Sequence, residues 1–288
     1  MTDRDACQLR GPVHTVRFQY ASINLETGDW EPAREGPTLT FDRDGWLDGR
    51  ARGDSATTSL VHEDGTRTTV GPRPPAIRRQ PGLEYGIGTD GTMPFDVVTQ
   101  YDSHGHPTEL TFRDAGQQPL HRIVLSYDAD GRIAGEQVFM GEFGTRMSNT
   151  PENVPPPSAE ELAELVATFE AMMPDHLFLA REYAYDAHGR VAQLVEVMGA
   201  LSERRRTFTY DDRNNVVEEH HESRDREADL GADGRLEILN ETFRETWSRY
   251  EYQYDDRGNW SERIAFGRVA PDQHFHRSSV ERRTISYY

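Results

Sequence analysis

Residues 254–260, Tyr-Asp-Asp-Arg-Gly-Asn-Trp, spell a hairpin turn, and the 288-residue chain repeats that spelling from residue 41 onward. The order Tyr-Asp-x-x-Gly returns at Tyr101–Gly105, Tyr127–Gly131 and Tyr185–Gly189, and Asn214 stands in for glycine in the copy that begins at Tyr210. Phe41–Gly45 is a phenylalanine variant; Val61–Gly65 and Leu230–Gly234 are worn copies. An aspartate opening a type I turn caps its own backbone, and the two residues after it sit near the right-handed helical region. The next must take positive φ, which glycine does without strain and asparagine tolerates well. Such a turn closes a short hairpin with a bulge.

The flanks agree. Two residues before the aromatic stand Leu39, Thr99, Leu125, Tyr183, Phe208 and Tyr252, and two residues after the Gly or Asn stand Leu47, Pro107, Ile133, Val191, Val216, Leu236 and Trp260. Period-two placement sets the first inward side chain of the outgoing strand opposite the incoming aromatic, so each unit is strand, turn, strand. The fold class is therefore mainly β: repeated antiparallel β-hairpins forming a curved or rolled sheet, with one inserted α-helix, read as a single domain over 1–288.

Three stretches interrupt the array. Residues 71–94 carry Pro72, Pro74, Pro75 and Pro81 and read as a long connection. Residues 141–177 contain the insertion that holds the helix: Ser158-Ala-Glu-Glu161 supplies a capping box, Leu162, Leu165, Val166, Phe169 and Met172 share one helical face, and Pro174 stops it. That face is expected to lid an exposed part of the sheet. Residues 222–247 read as a polar insertion. An opening strand is expected over 10–20, with Val16, Phe18 and Tyr20 on one face, and a closing strand at Glu281–Tyr288. Because every Asp-x-x-Gly turn lies at the same end of its hairpin, the turns should line one edge of the sheet and the three insertions the other.

Only 35% of residues are hydrophobic, which suits a sheet with a solvated face, and the formal charge of −18 makes nucleic acid a poor ligand. All 32 basic residues are Arg, read as compositional bias. The single Cys7, expected in a frayed N-terminus, forbids an internal disulfide, and no stretch is apolar enough to span a bilayer, so the reading is a cytoplasmic chain without membrane insertion.

The motif Tyr-Asp-x-x-Gly-Arg at 127–132 and 185–190 resembles the YD repeats of the RHS and teneurin-like families, and the Gly258-Asn259-Trp260 variant with the closing Arg283-Thr-Ile-Ser-Tyr strand is similar to small bacterial members. The resemblance covers about residues 37–288. It implies a hairpin-repeat sheet that binds a protein or sugar partner. The chain has no Asp-Pro dipeptide, so the self-cleaving Asp-Pro-x-Gly element of the large shell-forming members is missing.

No catalytic motif is present: no Gly-x-Ser-x-Gly elbow, no phosphate-binding loop, and no carboxylate pair set apart among fifty acids. His104/His106, His220/His221 and His274/His276 are the nearest approach to metal-ligand spacing and read as solvated histidines. The sequence thus assigns no catalytic, cofactor or metal residue. The functional expectation is a non-enzymatic protein-binding module, an acidic immunity- or antitoxin-like partner of a basic protein. The alternative is a carbohydrate-binding protein or glycoside hydrolase.

Overall fold

The computed structural model describes residues 9–24, 26–45, 58–61, 67–71, 96–113, 117–140, 170–231 and 235–288, together with Arg4, Cys7, Ser158, Ala167 and Thr168. Fifteen strands form one antiparallel sheet: β1 (Val13–Ser22), β2 (Arg34–Thr40), β3 (Thr58–Val61), β4 (Arg67–Gly71), β5 (Asp96–Tyr101), β6 (Pro107–Arg113), β7 (Pro119–Tyr127), β8 (Ile133–Met140), β9 (Leu177–Tyr185), β10 (Val191–Met198), β11 (Ser202–Tyr210), β12 (Val216–Leu230), β13 (Leu236–Tyr254), β14 (Trp260–Arg268) and β15 (His276–Tyr287). From β3 to β15 each strand pairs with the next; β1 then pairs with β15, and β2 and β3 are the edges of an open sheet.

The repeated turns take the conformation their residues predict. Gly45, Gly105, Gly131, Gly189 and Gly258 have φ between 73° and 91°, and Asn214 has φ 68°. In the five copies from Tyr101 to Tyr254 the ladder shifts register beside the turn, as a bulged hairpin requires. The Asp side chain holds each loop: Asp186 Oδ1 accepts from the main-chain nitrogens of His188 and Arg190, both at 2.9 Å, and Oδ2 binds Arg190 Nε at 2.7 Å. Asp128 does the same with Asp130 and Arg132.

Successive copies are bolted together by the tyrosine. The hydroxyls of Tyr127, Tyr185 and Tyr210 donate to the carbonyls of Pro107, Ile133 and Val191, each the residue two past the glycine of the preceding copy. The residue directly after that glycine stacks on the same ring: His106 on Tyr127, Arg132 on Tyr185 and Arg190 on Tyr210. Arg213 and Arg257 reach Tyr254 and Tyr287 in the same way from inside their turns. The arginines read as compositional bias therefore include a ladder of planar cations on aromatic faces, a geometry lysine matches poorly.

One face carries the apolar core. Val97, Leu110, Phe112, Ile123, Leu125, Tyr183, Leu194 and Phe208 form one cluster and Leu9, Val13, Val16 and Phe41 another. Between them, on the same face, runs a row of charges: Arg181 bridges Glu136, which is fully buried, and the partly buried Glu196 at 3.3 and 2.9 Å, Arg206 meets Glu219 at 2.7 Å, and Arg263 meets Glu281 at 2.5 Å.

Three expectations change. The N-terminal segment is docked and not frayed, because Cys7 packs against the second cluster and Asn259 exchanges hydrogen bonds with the backbone of Arg10. The polar stretch 222–247 is strand over most of its length, since charged side chains on a two-sided solvated ribbon still permit backbone pairing. Leu230 and Leu236, which flank the worn copy at 230–234, pair at the opposite end of the strands from the other turns, and residues 232–234 of that copy lie outside the described residues. Of the expected helix, Ala167, Thr168 and residues 170–172 are helical; Leu162, Leu165, Val166 and Phe169 lie outside the described residues, as do most of 71–94 and the turn at 63–65.

Candidate protein-contact site

The β12–β13 hairpin outgrows its neighbours. Strand β11 accompanies β12 only to Asp225, and β14 accompanies β13 only from Trp247, so residues 227–231 and 235–240 project beyond both, and among the described residues no strand pairs with the outer side of the eleven residues of β13 from Leu236 to Thr246. At about 3.3 Å per residue that free edge is roughly 36 Å long.

The ribbon is amphipathic. Paired residues share a face and alternate residues lie on the same side, which groups Ala228, Leu230 and Leu236 with Ile238. Phe243, five residues from Ile238, would face the other way in a regular strand. The register shift between Glu227 and Ala228 absorbs Leu239 as a bulge and brings Phe243 and Ile238 onto one face. All three are solvent-exposed: Ile238 at 50%, Phe243 at 55% and Leu239 at 61%. Together they leave an exposed apolar patch on the ribbon. Residues 226–246 also carry six acids against three arginines.

The turn edge is less available than its composition suggests. Asp130 pairs with Arg132 at 2.8 Å, and Asp211 binds the main chain of Arg213 and Asn215 and the hydroxyl of Tyr254. Burial pushes the Asp211 carboxyl up, but hydrogen bonds from Asn215, Tyr254 and Arg213 outweigh it and hold the group below its usual range. Asp212 and Asp256 remain exposed at the tips.

Two tryptophans that could stack on a sugar ring each have a side-chain neighbour on the ring. Trp260 lies 3.2 Å from the Arg283 guanidinium carbon, and Trp247 stacks on His220 at 4.8 Å. Burial lowers the pKa of Arg283 to about 10 against the favourable field of Glu281.

The histidine pairs differ in arrangement, with His104 and His106 stacked at 6.1 Å and His220 and His221 on opposite faces. His104 and His106 sit on the turn of Asp102, whose Oδ1 accepts from both main-chain nitrogens. His274 and His276 are exposed. Adjacent strand residues point oppositely, so His221 faces the Arg206 side while His220 joins Glu222 and Glu245 on the other. The sequence signal for the ribbon was the alternation Ala228-Asp-Leu230 and Leu236-Glu-Ile238, submerged in a charged stretch.

No protein-family model and no curated protein matches the sequence. Among solved structures, a porin-like protein from Bacteroides uniformis aligns over 96% of this chain and 99% of its own at 10% identity and a TM-score of 0.41. A second porin-like protein, from Bacteroides vulgatus, aligns over 94% and 97% at 13% identity and a TM-score of 0.37. TM-scores below 0.5 do not define a shared fold. No helix among the described residues is long and apolar enough to cross a membrane, which says nothing of membrane-spanning strands.

Proposed function

We propose that this chain is a non-enzymatic, YD-repeat-like protein-binding module whose repeated hairpins form a stiff platform and whose β12–β13 ribbon is the contact arm. The observation that carries the reading is the exposed Ile238–Phe243 face on a projecting, net-acidic ribbon. Its complement is a basic protein with an apolar patch, as an acidic immunity- or antitoxin-like partner would require.

The reading includes a cytoplasmic, water-surrounded sheet. Glu35, Gln19, Arg282, Glu262 and Gln253 form a continuous row across β2, β1, β15, β14 and β13, linked by hydrogen bonds from Gln19 to Glu35, Gln253 to Glu262 and Arg282 to Glu262. The opposite face of the same strands carries Tyr20, Glu281, Arg263 and Tyr252. A strand crossing a bilayer needs one apolar face there, and neither face supplies it.

The test is hydrogen–deuterium exchange on the complex of this chain with a purified basic partner recovered from its native source. Added protection within 226–246 supports the reading; protection confined to the turns at 128–132, 186–190 and 211–215 contradicts it.

A further inference from the structure

At the root of the ribbon, Glu222 of β12 stands directly opposite Glu245 of β13, with His220 two residues away on the same face. Like charges in direct cross-strand register are destabilising. Elsewhere in the sheet the half-buried carboxylates are answered by arginine, as Glu136, Glu196, Glu219, Glu262 and Glu281 are. Here no arginine forms an ion pair with them: among the described residues Glu222 meets His220 at Nδ1, 3.8 Å away, and Glu245 meets it at Nε2, 3.4 Å away. Arg205 is registered beside Glu222 on β11 without forming an ion pair to it, and Arg224 is turned to Glu241.

His220 is fixed in orientation. Its ring lies parallel to Trp247, 6° between planes, so it cannot swing freely, and Nε2 is buried without a hydrogen-bond partner. One donor atom from each of the three side chains falls within 4.8 Å of the others. Donors bound at about 2.0–2.2 Å around a tetrahedral ion lie roughly 3.3–3.6 Å apart, so the Nε2–Glu245 separation already fits, while Glu222, whose ion-pair contact is with Nδ1, has to rotate its carboxylate toward Nε2 to complete the set.

We infer that His220, Glu222 and Glu245 form a binding site for a zinc-class divalent cation at the point where the ribbon leaves the sheet. The imidazole nitrogen selects a borderline transition metal over calcium or magnesium, which prefer all-oxygen shells. Three protein ligands leave a fourth position open to water or to a group on a partner. The ion cancels the Glu222–Glu245 repulsion and clamps β12 to β13 where neighbouring strands stop supporting them. The inference does not depend on the ribbon's partner.

Calorimetric titration of the full chain with zinc chloride tests it, with calcium and magnesium chloride as controls and with variants His220→Gln, Glu245→Gln and His276→Gln checked for folding by circular dichroism. The expected result is one saturable zinc site, weakened at least about tenfold in the first two variants and unchanged in His276→Gln. If His220→Gln fails to fold, the shape-conserving Glu222→Gln and Glu245→Gln decide. No saturable zinc binding by the wild-type chain up to about 1 mM overturns the site, as does equal affinity in the ligand variants or tighter calcium than zinc binding.

Discussion

The guanidinium carbon of Arg190 lies 4.6 Å from the centre of the Tyr210 ring, while the hydroxyl of Tyr210 donates at 2.6 Å to the carbonyl of Val191, the residue after Arg190. Two neighbouring residues of one hairpin are thus gripped by a single tyrosine of the next. Tyr210→Phe removes the donor and leaves a half-buried carbonyl unanswered, so it should cost about 1 kcal/mol in urea denaturation. Arg190→Lys keeps the charge but loses the planar stack and the bond to Asn214 Oδ1, and should also lower the midpoint. Arg205→Lys, on a strand away from any such ring contact, is the control and should be neutral.

Replacing Gly131 or Gly189 with Val places a β-branched residue at φ 73° or 76° and should destabilise by roughly 1–3 kcal/mol. Gly131→Val should be the worse of the two, because a Cβ there meets the His106 ring at 3.2 Å, tighter than ordinary contact, against 3.6 Å to Arg132 Nη1 at Gly189. Asn214→Gly relieves φ but discards the Arg190 bond, and the two should cancel to within about 0.5 kcal/mol. A large fall in melting temperature in Asn214→Gly, or none in Gly131→Val, would contradict this account of the turn.

Burial raises the pKa of Tyr127, Tyr210, Tyr252 and Tyr254 to about 12, with the turn carboxylates Asp102, Asp186 and Asp211 adding to the effect at the first, second and fourth. Folded values above the unfolded one mean that the protonated hydroxyls contribute fully below pH 10, and that this stability is lost between pH 10 and about 12. Tyrosinate absorbance should therefore lag a model-compound titration and rise together with loss of β circular dichroism. Titration of all twelve tyrosines near pH 10 in the folded state would be the contrary result.

Asp186 is held below the usual carboxylate range by hydrogen bonds from the Arg190 backbone, then by those of the Arg190 side chain and His188. Asp211 is held low as well, for the reasons given above. With folded values below the unfolded one near 3.9, their contribution is present above about pH 4 and disappears as pH falls through the depressed values. Asp186→Asn should flatten the acid limb of the stability curve below pH 4 while lowering stability at neutral pH.

The hairpins were legible because each turn carries its geometry in six consecutive residues: Asp128 caps, Gly131 reverses, Ile133 starts the next strand. What binds one copy to the next was not, because Arg132 and Tyr185 are 53 positions apart and the spacing between copies varies. The β1–β15 pairing, which sets Phe18 against Arg283, has no local signal at all. The ribbon escaped because strand alternation in 226–246 is masked by charge, and the grouping of Ile238 with Phe243 depends on a bulge at Leu239 that only the register reveals. For the same reason His220 was paired in sequence with His221, which points the other way, instead of with Glu245.

The central claim is that the projecting face of Ile238 and Phe243 makes the contact. Titration calorimetry of the purified basic partner against wild type, Ile238→Asp/Phe243→Asp and Asp212→Asn/Asp256→Asn tests it most directly. The account predicts that the first double variant keeps the wild-type melting temperature and loses at least about 2 kcal/mol of binding, as truncated hot spots do, while the turn variant binds normally. Wild-type affinity in Ile238→Asp/Phe243→Asp together with weakened binding in Asp212→Asn/Asp256→Asn would contradict it and move the contact to the turn edge.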